Sequence, residues 1–244
     1  MNKEGRIYTF TEWENEYWIG PAPLQGERIM TNTLHRQGSP ESLKGDYVIF
    51  ATTAKGITYE GSAPKLQEFM RISLKYHPVN MGNSEQGNVH QDDMDIEKLI
   101  ATQKDGSGAE AVFTDLDTLQ KVVEELIRAD LGISINISGL LEEVQQCCRK
   151  AGLERHSVEH SLGFWGAKDL LPEREILEFN TMCGHGMVSF NLIRKMIEYV
   201  KLRRLTPKKS ARIMAKCCEC GAFNPTRAEM LLERVRKGEK FAKG

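Results

Sequence analysis

Four of the six cysteines in this 244-residue chain lie in two short glycine-bearing stretches, and the fold turns on whether those stretches meet. The first reads Thr181-Met182-Cys183-Gly184-His185-Gly186-Met187, the second Cys217-Cys218-Glu219-Cys220-Gly221. Soft sulfur donors two or three residues apart on a turn converge on one ion, and a second ligand-bearing turn supplies the other corners of a tetrahedron. Cys217 and Cys220 have the C-x-x-C-G spacing of a zinc knuckle, where glycine lets the backbone curl until amide N–H groups point at the thiolates. Cys183 and His185 would complete a set of three cysteines and one histidine, with Cys218 as an alternative ligand. If all four cysteines take part, or three do so with an open corner, a [4Fe-4S] cluster fits equally well. Adjacent Cys217 and Cys218 do not easily reach the same ion, so one of them faces elsewhere or binds a different iron. His185 is then a fourth ligand or a proton carrier.

The rest of the composition argues against disulfides. With 40% hydrophobic residues, 27% charged residues and a formal net charge of −1, the chain has the make-up of an ordinary globular protein. Such a chain needs no covalent staples, and Cys147-Cys148 makes a poor disulfide framework, so reduced thiols or metal ligands are expected. No apolar run follows Met1, which predicts neither a signal peptide nor a membrane span and places the protein in the cytoplasm, without a membrane partner. The near-zero charge conceals an asymmetry. Residues 194–244 carry 15 Lys and Arg against 5 acidic residues, most densely at Arg203, Arg204, Lys208, Lys209 and Arg212. That group suits the phosphates of a nucleic acid or an acidic partner, or is simply a solvated helical face.

The pattern predicts an α+β fold in three stretches. Residues 1–79 form an N-terminal α+β part with strands over 6–10 and 47–52, separated by Gly and Pro turns, and a helix over 63–76. Trp13, Tyr17 and Trp18 make an aromatic cluster there, ordinarily core or interface and otherwise a ligand grip. Residues 80–110, polar and Gly-rich, read as a linker or mobile loop around a short helix at 96–100. His90, Asp92, Asp93 and Asp95 in that stretch offer hard-metal ligands or a solvated acidic run.

Residues 111–244 read as an α/β unit followed by a helical segment that carries the cysteine cluster. Thr114 or Asp115 caps a helix that ends at Gly132, and a strand at 133–137, a helix at 140–151 and a strand at 153–163 have the length of a split βαβ unit. A further strand is expected at Ile176-Leu177-Glu178-Phe179. Three helices follow, over 187–199, 207–216 and 225–236, the last two started by Thr206-Pro207 and Asn224-Pro225.

Thiol chemistry is a different reading of the first turn. Cys183, placed after a strand and at the start of a helix, would be favoured as a thiolate by free N–H groups, with His185 close enough to exchange a proton. Met182-Cys183-Gly184-His185-Gly186 resembles the Met-Cys-Gly-His-Gly motif of the proline racemase family, whose paired cysteines take and give an α-proton without a cofactor. The likeness covers these five residues, with Cys220-Gly221 and Arg227 echoing the second cysteine's surroundings. The Asp-Ser-Pro lead-in is missing and the two turns are about 37 residues apart rather than on separate halves of a larger chain, so the activity is not carried over.

His156 and His160, four residues apart, share a face on a helix or a strand and are candidate acids or bases beside Gly163-Phe164-Trp165-Gly166, whose rings could line a pocket. No Rossmann fingerprint, P-loop, HExxH or Gly-x-Ser-x-Gly motif is present. The leading expectation is a zinc or [4Fe-4S] protein, with catalysis on a small-molecule substrate left open. A nucleic-acid or protein-binding module with a structural ion is the rival, and a cofactor-independent cysteine enzyme the third.

Overall fold

The computed structural model describes residues 36–154, 158 and 166–239. Among these the chain runs α1 (Pro40–Leu43), β1 (Tyr47–Thr52), α2 (Ala63–Lys75), β2 (Asn80–Asn83), β3 (Gly87–Asn88), α3 (Ile96–Ala101), β4 (Ala109–Phe113), α4 (Leu116–Ala129), β5 (Ser134–Ser138) and α5 (Leu141–Lys150). It continues with α6 (Arg174–Asn180), α7 (Phe190–Lys201), α8 (Pro207–Lys216) and α9 (Pro225–Arg236). The protein is α+β, with one antiparallel five-stranded sheet in the order β3-β2-β4-β1-β5. No described helix is long and apolar enough to cross a membrane.

Alternation along β1 and β4 splits the apolar residues between two cores. Tyr47, Ile49 and Ala51 of β1 and Ala109, Ala111 and Phe113 of β4 face one side, where Phe69 and Met70 of α2, Leu99 and Ile100 of α3, Leu119 and Val122 of α4 and Cys147 of α5 cover them. Val48, Phe50 and Val112 face the other side and meet Phe179 of α6, Ile193 of α7, Met214 of α8 and Leu232 of α9. Helices thus cover both faces, and both cysteine turns belong to the second core. Each fully buried Phe here contributes roughly 1.5–3 kcal/mol over an exposed one.

Where local chemistry is strong, the elements start as the residues dictate. Thr206 accepts from the Lys209 N–H at 3.2 Å and Asn224 from the Arg227 N–H at 2.9 Å, each just ahead of a proline in the first turn. Asp115 caps α4 through Thr118, and the helix stops at Asp130, which takes a left-handed φ of 41° two residues before the expected Gly132.

Four expectations are corrected. Residues 80–110 supply β2, β3, α3 and the start of β4, so the sheet crosses both boundaries drawn at 79 and 110. The polarity that suggested a linker is buried instead, because Asn80 and Asn88 satisfy carbonyl groups of the second cysteine turn. Residues 176–179 lie in helix α6 rather than a strand: Ile176 and Phe179 are three residues apart on one buried face. Helix α7 begins at Phe190 with Ser189 as its cap, not at 187, leaving Cys183 in a loop. Leu153 and Glu154 stand outside any strand, and the rest of the expected 153–163 strand lies outside the described residues apart from Val158, which is also in no strand. Arg6–Phe10 as a strand and Trp13, Tyr17 and Trp18 as a cluster also lie outside them.

Candidate metal centre

The sheet face under the second core carries the floor of the site. Strand register lines up Asn88, Gly82, Glu110, Phe50 and Asn136 across β3, β2, β4, β1 and β5, and directly opposed residues share a face. Gly82 leaves room beside Glu110, and the second cysteine turn descends there. Gly221 in that turn has φ +86°, and a Cβ on it would stand 2.4 Å from the Gly82 nitrogen and 2.6 Å from the Met81 carbonyl carbon. Only glycine satisfies both the left-handed backbone and the contact.

Polar side chains of the sheet hold this turn from below. Asn88 Nδ2 donates to the carbonyl oxygens of Ala215 at 3.1 Å and Cys218 at 2.7 Å, and Asn80 Nδ2 to that of Phe223 at 2.8 Å. The turn closes on itself through the Phe223 N–H, which donates to Cys218 Sγ at 3.3 Å. Cys218 and Cys220 are buried with their sulfurs 3.6 Å apart.

The first turn is set by α6. Asn180 Nδ2 donates to the Val188 carbonyl at 2.8 Å and closes the loop, and Gly184 takes a φ of +66° between Cys183 and His185. The buried Cys183 thiol lies within hydrogen-bonding reach of Cys218, Cys220 and His185, and the Met187 N–H points at it. Hydrogen bonds from the Cys218 and Cys220 thiols, with His185 and that N–H, hold Cys183 well below the ordinary thiol range against the effect of burial. Cys218 and Cys220 are pushed up, first by donating to Cys183. His185 is raised, first by its hydrogen bond to Cys183, with burial opposing.

An ionic lock holds the two turns in place. The Arg227 guanidinium of α9, 1% exposed, reaches Asp46 Oδ2 at 2.8 Å, Ser42 Oγ at 3.1 Å and the Gln37 carbonyl at 2.6 Å, and lies 3.5 Å from Glu178 of α6. Arg36 donates to Asp46 at 3.0 Å and to the Ala222 carbonyl, and Asn224 to Asp46 at 2.9 Å. Glu178 precedes Cys183 by five residues and Arg227 follows Cys220 by seven, so the lock fixes one turn against the other.

Of the expected site residues, Cys183, Cys218, Cys220 and His185 come together. Cys217 does not join them: its sulfur faces the Ile213 carbonyl at 3.6 Å along α8, and the close pair is Cys218–Cys220, not the knuckle pair Cys217–Cys220. The reason is helical: Cys217 is the C-cap of α8, with its side chain on the helix surface, whereas Cys218 begins the turn. His156, His160, Phe164 and Trp165 lie outside the described residues. Asp92 pairs with Lys216, Asp95 caps α3 and His90 hydrogen-bonds the Val79 carbonyl, so the acidic run has structural partners. Arg203, Arg204, Lys208, Lys209 and Arg212 are exposed, with Arg204 stacked at 5.9 Å over Tyr199.

Sequence reasoning missed Glu110, half-buried in mid-strand beside Cys220, Cys183 and His185, with its Oε2 shielded from solvent. Burial pushes its carboxyl up to about 7, with His185, Cys220 and Arg36 opposing that rise. Its signal was an acid inside the otherwise apolar run Ala109–Phe113. Among the described residues no three His, Cys, Asp or Glu side chains form a ready-made metal cage; the thiols contact one another instead. No family model, curated protein or solved structure matches the chain.

Proposed function

We propose that the protein holds a single metal ion, zinc foremost, on the sulfurs of Cys183, Cys218 and Cys220, and uses it on a small-molecule substrate. The observation that carries this reading is the contact of Cys183 with both cysteines of a turn about 37 residues away, in a buried pocket with N–H groups aimed at the sulfurs. Zinc–sulfur bonds of about 2.3 Å put two thiolates on one tetrahedral ion roughly 3.8 Å apart. The 3.6 Å between Cys218 and Cys220 supports one ion shared by the pair. A cubane cluster binds each thiolate to a different iron and spreads the sulfurs further. An ion bound there would take the place of the protons on the Cys218 and Cys220 thiols.

Elemental analysis with an absorption spectrum, on protein purified without oxygen, tests the proposal. Stoichiometric zinc without colour supports the single ion, iron with a broad visible band replaces it with a cluster, and metal-free active protein overturns both. The Cys183–His185 pair supports a second reading, a metal-free thiol acid/base. Under that reading Cys183→Ser loses turnover with its metal content unchanged, whereas under the first it loses metal and stability together. The exposed cationic group at 203–212 supports nucleic-acid binding as a further role, tested by a salt-dependent RNA shift that neutralising Arg203, Arg204, Lys208 and Lys209 abolishes.

A further inference from the structure

Three sulfurs leave a tetrahedral ion one corner short, and the side chain nearest to supplying it is not the histidine of the first turn. His185 is already committed to the Cys183 sulfur as a hydrogen-bond partner. Glu110 reaches the same sulfurs from the sheet floor. Its carboxylate sits against Cys220 and close to Cys183, and Oε2 is buried with no hydrogen-bond partner.

That unpartnered oxygen is the informative feature. A carboxylate placed in a dry interior with an open lone pair costs several kcal/mol unless a cation or donor meets it. An interior strand position beside Phe50 is ordinarily filled by an apolar residue, and the other described residues of β4 are apolar. Nothing in the sheet requires an acid at this position, whereas an ion bound by the sulfurs above it would be bonded by that oxygen.

We propose that Glu110 is the fourth ligand, giving a Cys183, Cys218, Cys220 and Glu110 set with His185 outside it. This rests on the reading that an ion binds the three sulfurs, and it specifies the kind of site. Three thiolates and a carboxylate exceed the charge of a divalent ion by two, and the nearby Arg36 guanidinium answers part of that excess. A carboxylate is a harder and more readily displaced ligand for zinc than a thiolate. The Glu110 corner is therefore where water or the oxygen of a substrate enters, in the way catalytic zinc sites keep one exchangeable position beside three fixed ligands.

Cobalt tests this, since Co2+ takes zinc sites and reports its ligands by colour. Protein produced in zinc-depleted medium with Co2+ is compared as wild type, Glu110→Gln, Glu110→Asp and His185→Gln. The expected result is a thiolate-to-cobalt charge-transfer band of equal strength throughout, a ligand-field band that shifts in Glu110→Gln alone of the two neutral variants, and Co2+ affinity there lower by roughly 10–100-fold. Should Glu110→Gln not fold, Glu110→Asp, which keeps the carboxylate on a shorter arm, shifts the band and speeds metal exchange. A Glu110→Gln or Glu110→Asp spectrum and affinity matching wild type overturns the assignment, as does a ligand-field shift confined to His185→Gln. Wild-type protein that takes up no cobalt overturns the three-sulfur reading itself, and the fourth ligand with it.

Discussion

The side-chain amide of Asn88 stands 2.7 Å from the carbonyl oxygen of Cys218, so a strand residue fixes the backbone between the two close cysteines. The same amide reaches Ala215, and Asn88 Oδ1 accepts the His90 N–H at 2.7 Å. All three hydrogen bonds are made by a side chain with no solvent exposure.

Asn88→Leu fills the space without the donors, leaves the Ala215 and Cys218 carbonyls with only their backbone partners and takes the acceptor from the His90 N–H, a loss of about 1–3 kcal/mol. Urea unfolding should show a loss in that range or larger, with weaker metal retention. Asn88→Asp, which sets a carboxylate against the same carbonyl oxygens, should be worse than Asn88→Leu. Equal stability for wild type and Asn88→Leu would remove the strand from any account of how the turn is held.

The neighbouring cysteines should behave as opposites. The Cys217 sulfur faces the Ile213 carbonyl of its own helix while its side chain packs at the edge of the second core, so Cys217→Ser is expected to keep its metal and unfold within about 1 kcal/mol of wild type. Cys218→Ser removes a sulfur that contacts both Cys220 and Cys183, and should lose bound metal on dialysis against a chelator while Cys217→Ser retains it. Metal analysis of the two variants after identical dialysis decides the matter, and reversed behaviour would restore the zinc-knuckle pairing.

Much of the fold was legible because its signals are local. Thr206-Pro207 and Asn224-Pro225 start helices whatever surrounds them, and the aromatic and β-branched run Tyr47–Thr52 needs only a sheet covered on both faces. The stretch 80–110 misled because Asn80, Asn83 and Asn88 are polar for a tertiary reason: buried among backbone groups more than a hundred residues away in the case of Asn80 and Asn88, they look from sequence alone like loop residues. Convergence of the cysteine turns was a fair expectation from spacing. Which of Cys217 and Cys218 turns inward depended on where α8 ends, and the acid inside the apolar run Ala109–Phe113 gained its meaning from the register that sets Glu110 beside Gly82.

Breaking the ionic lock should cost both stability and metal. Arg227→Met keeps the length of the side chain but leaves Glu178 with no buried cation and Asp46 with Arg36 as its one cation beside the Asn224 amide. Removing one partner of a buried pair typically costs about 3–5 kcal/mol. Because α6 and α9 lead into or out of the two cysteine turns, the metal affinity of the folded variant should fall as well. Calorimetry and metal competition on the same sample test this; a variant less stable but with undiminished metal affinity would show that the lock does not position the sulfurs.

His90 gives the fold an acid-sensitive point. Burial pulls its pKa below the ordinary 6.5, Arg212 pulls the same way, and the hydrogen bond to the Val79 carbonyl at 2.8 Å opposes them. The folded state therefore favours the neutral ring, and the unfolded chain binds the proton more readily. The sign follows: this contribution to stability is whole above pH 6.5 and is lost as pH falls from there through the folded-state pKa. His185, raised by Cys183, runs the opposite way and loses its contribution as pH climbs, so the wild-type curve alone is a sum of the two. His90→Gln keeps a donor for the Val79 carbonyl and removes the titration. The unfolding free energy of wild type minus that of His90→Gln should thus be level above pH 6.5 and decline below it, and a difference that stays flat across that range would show that the buried ring is not what titrates.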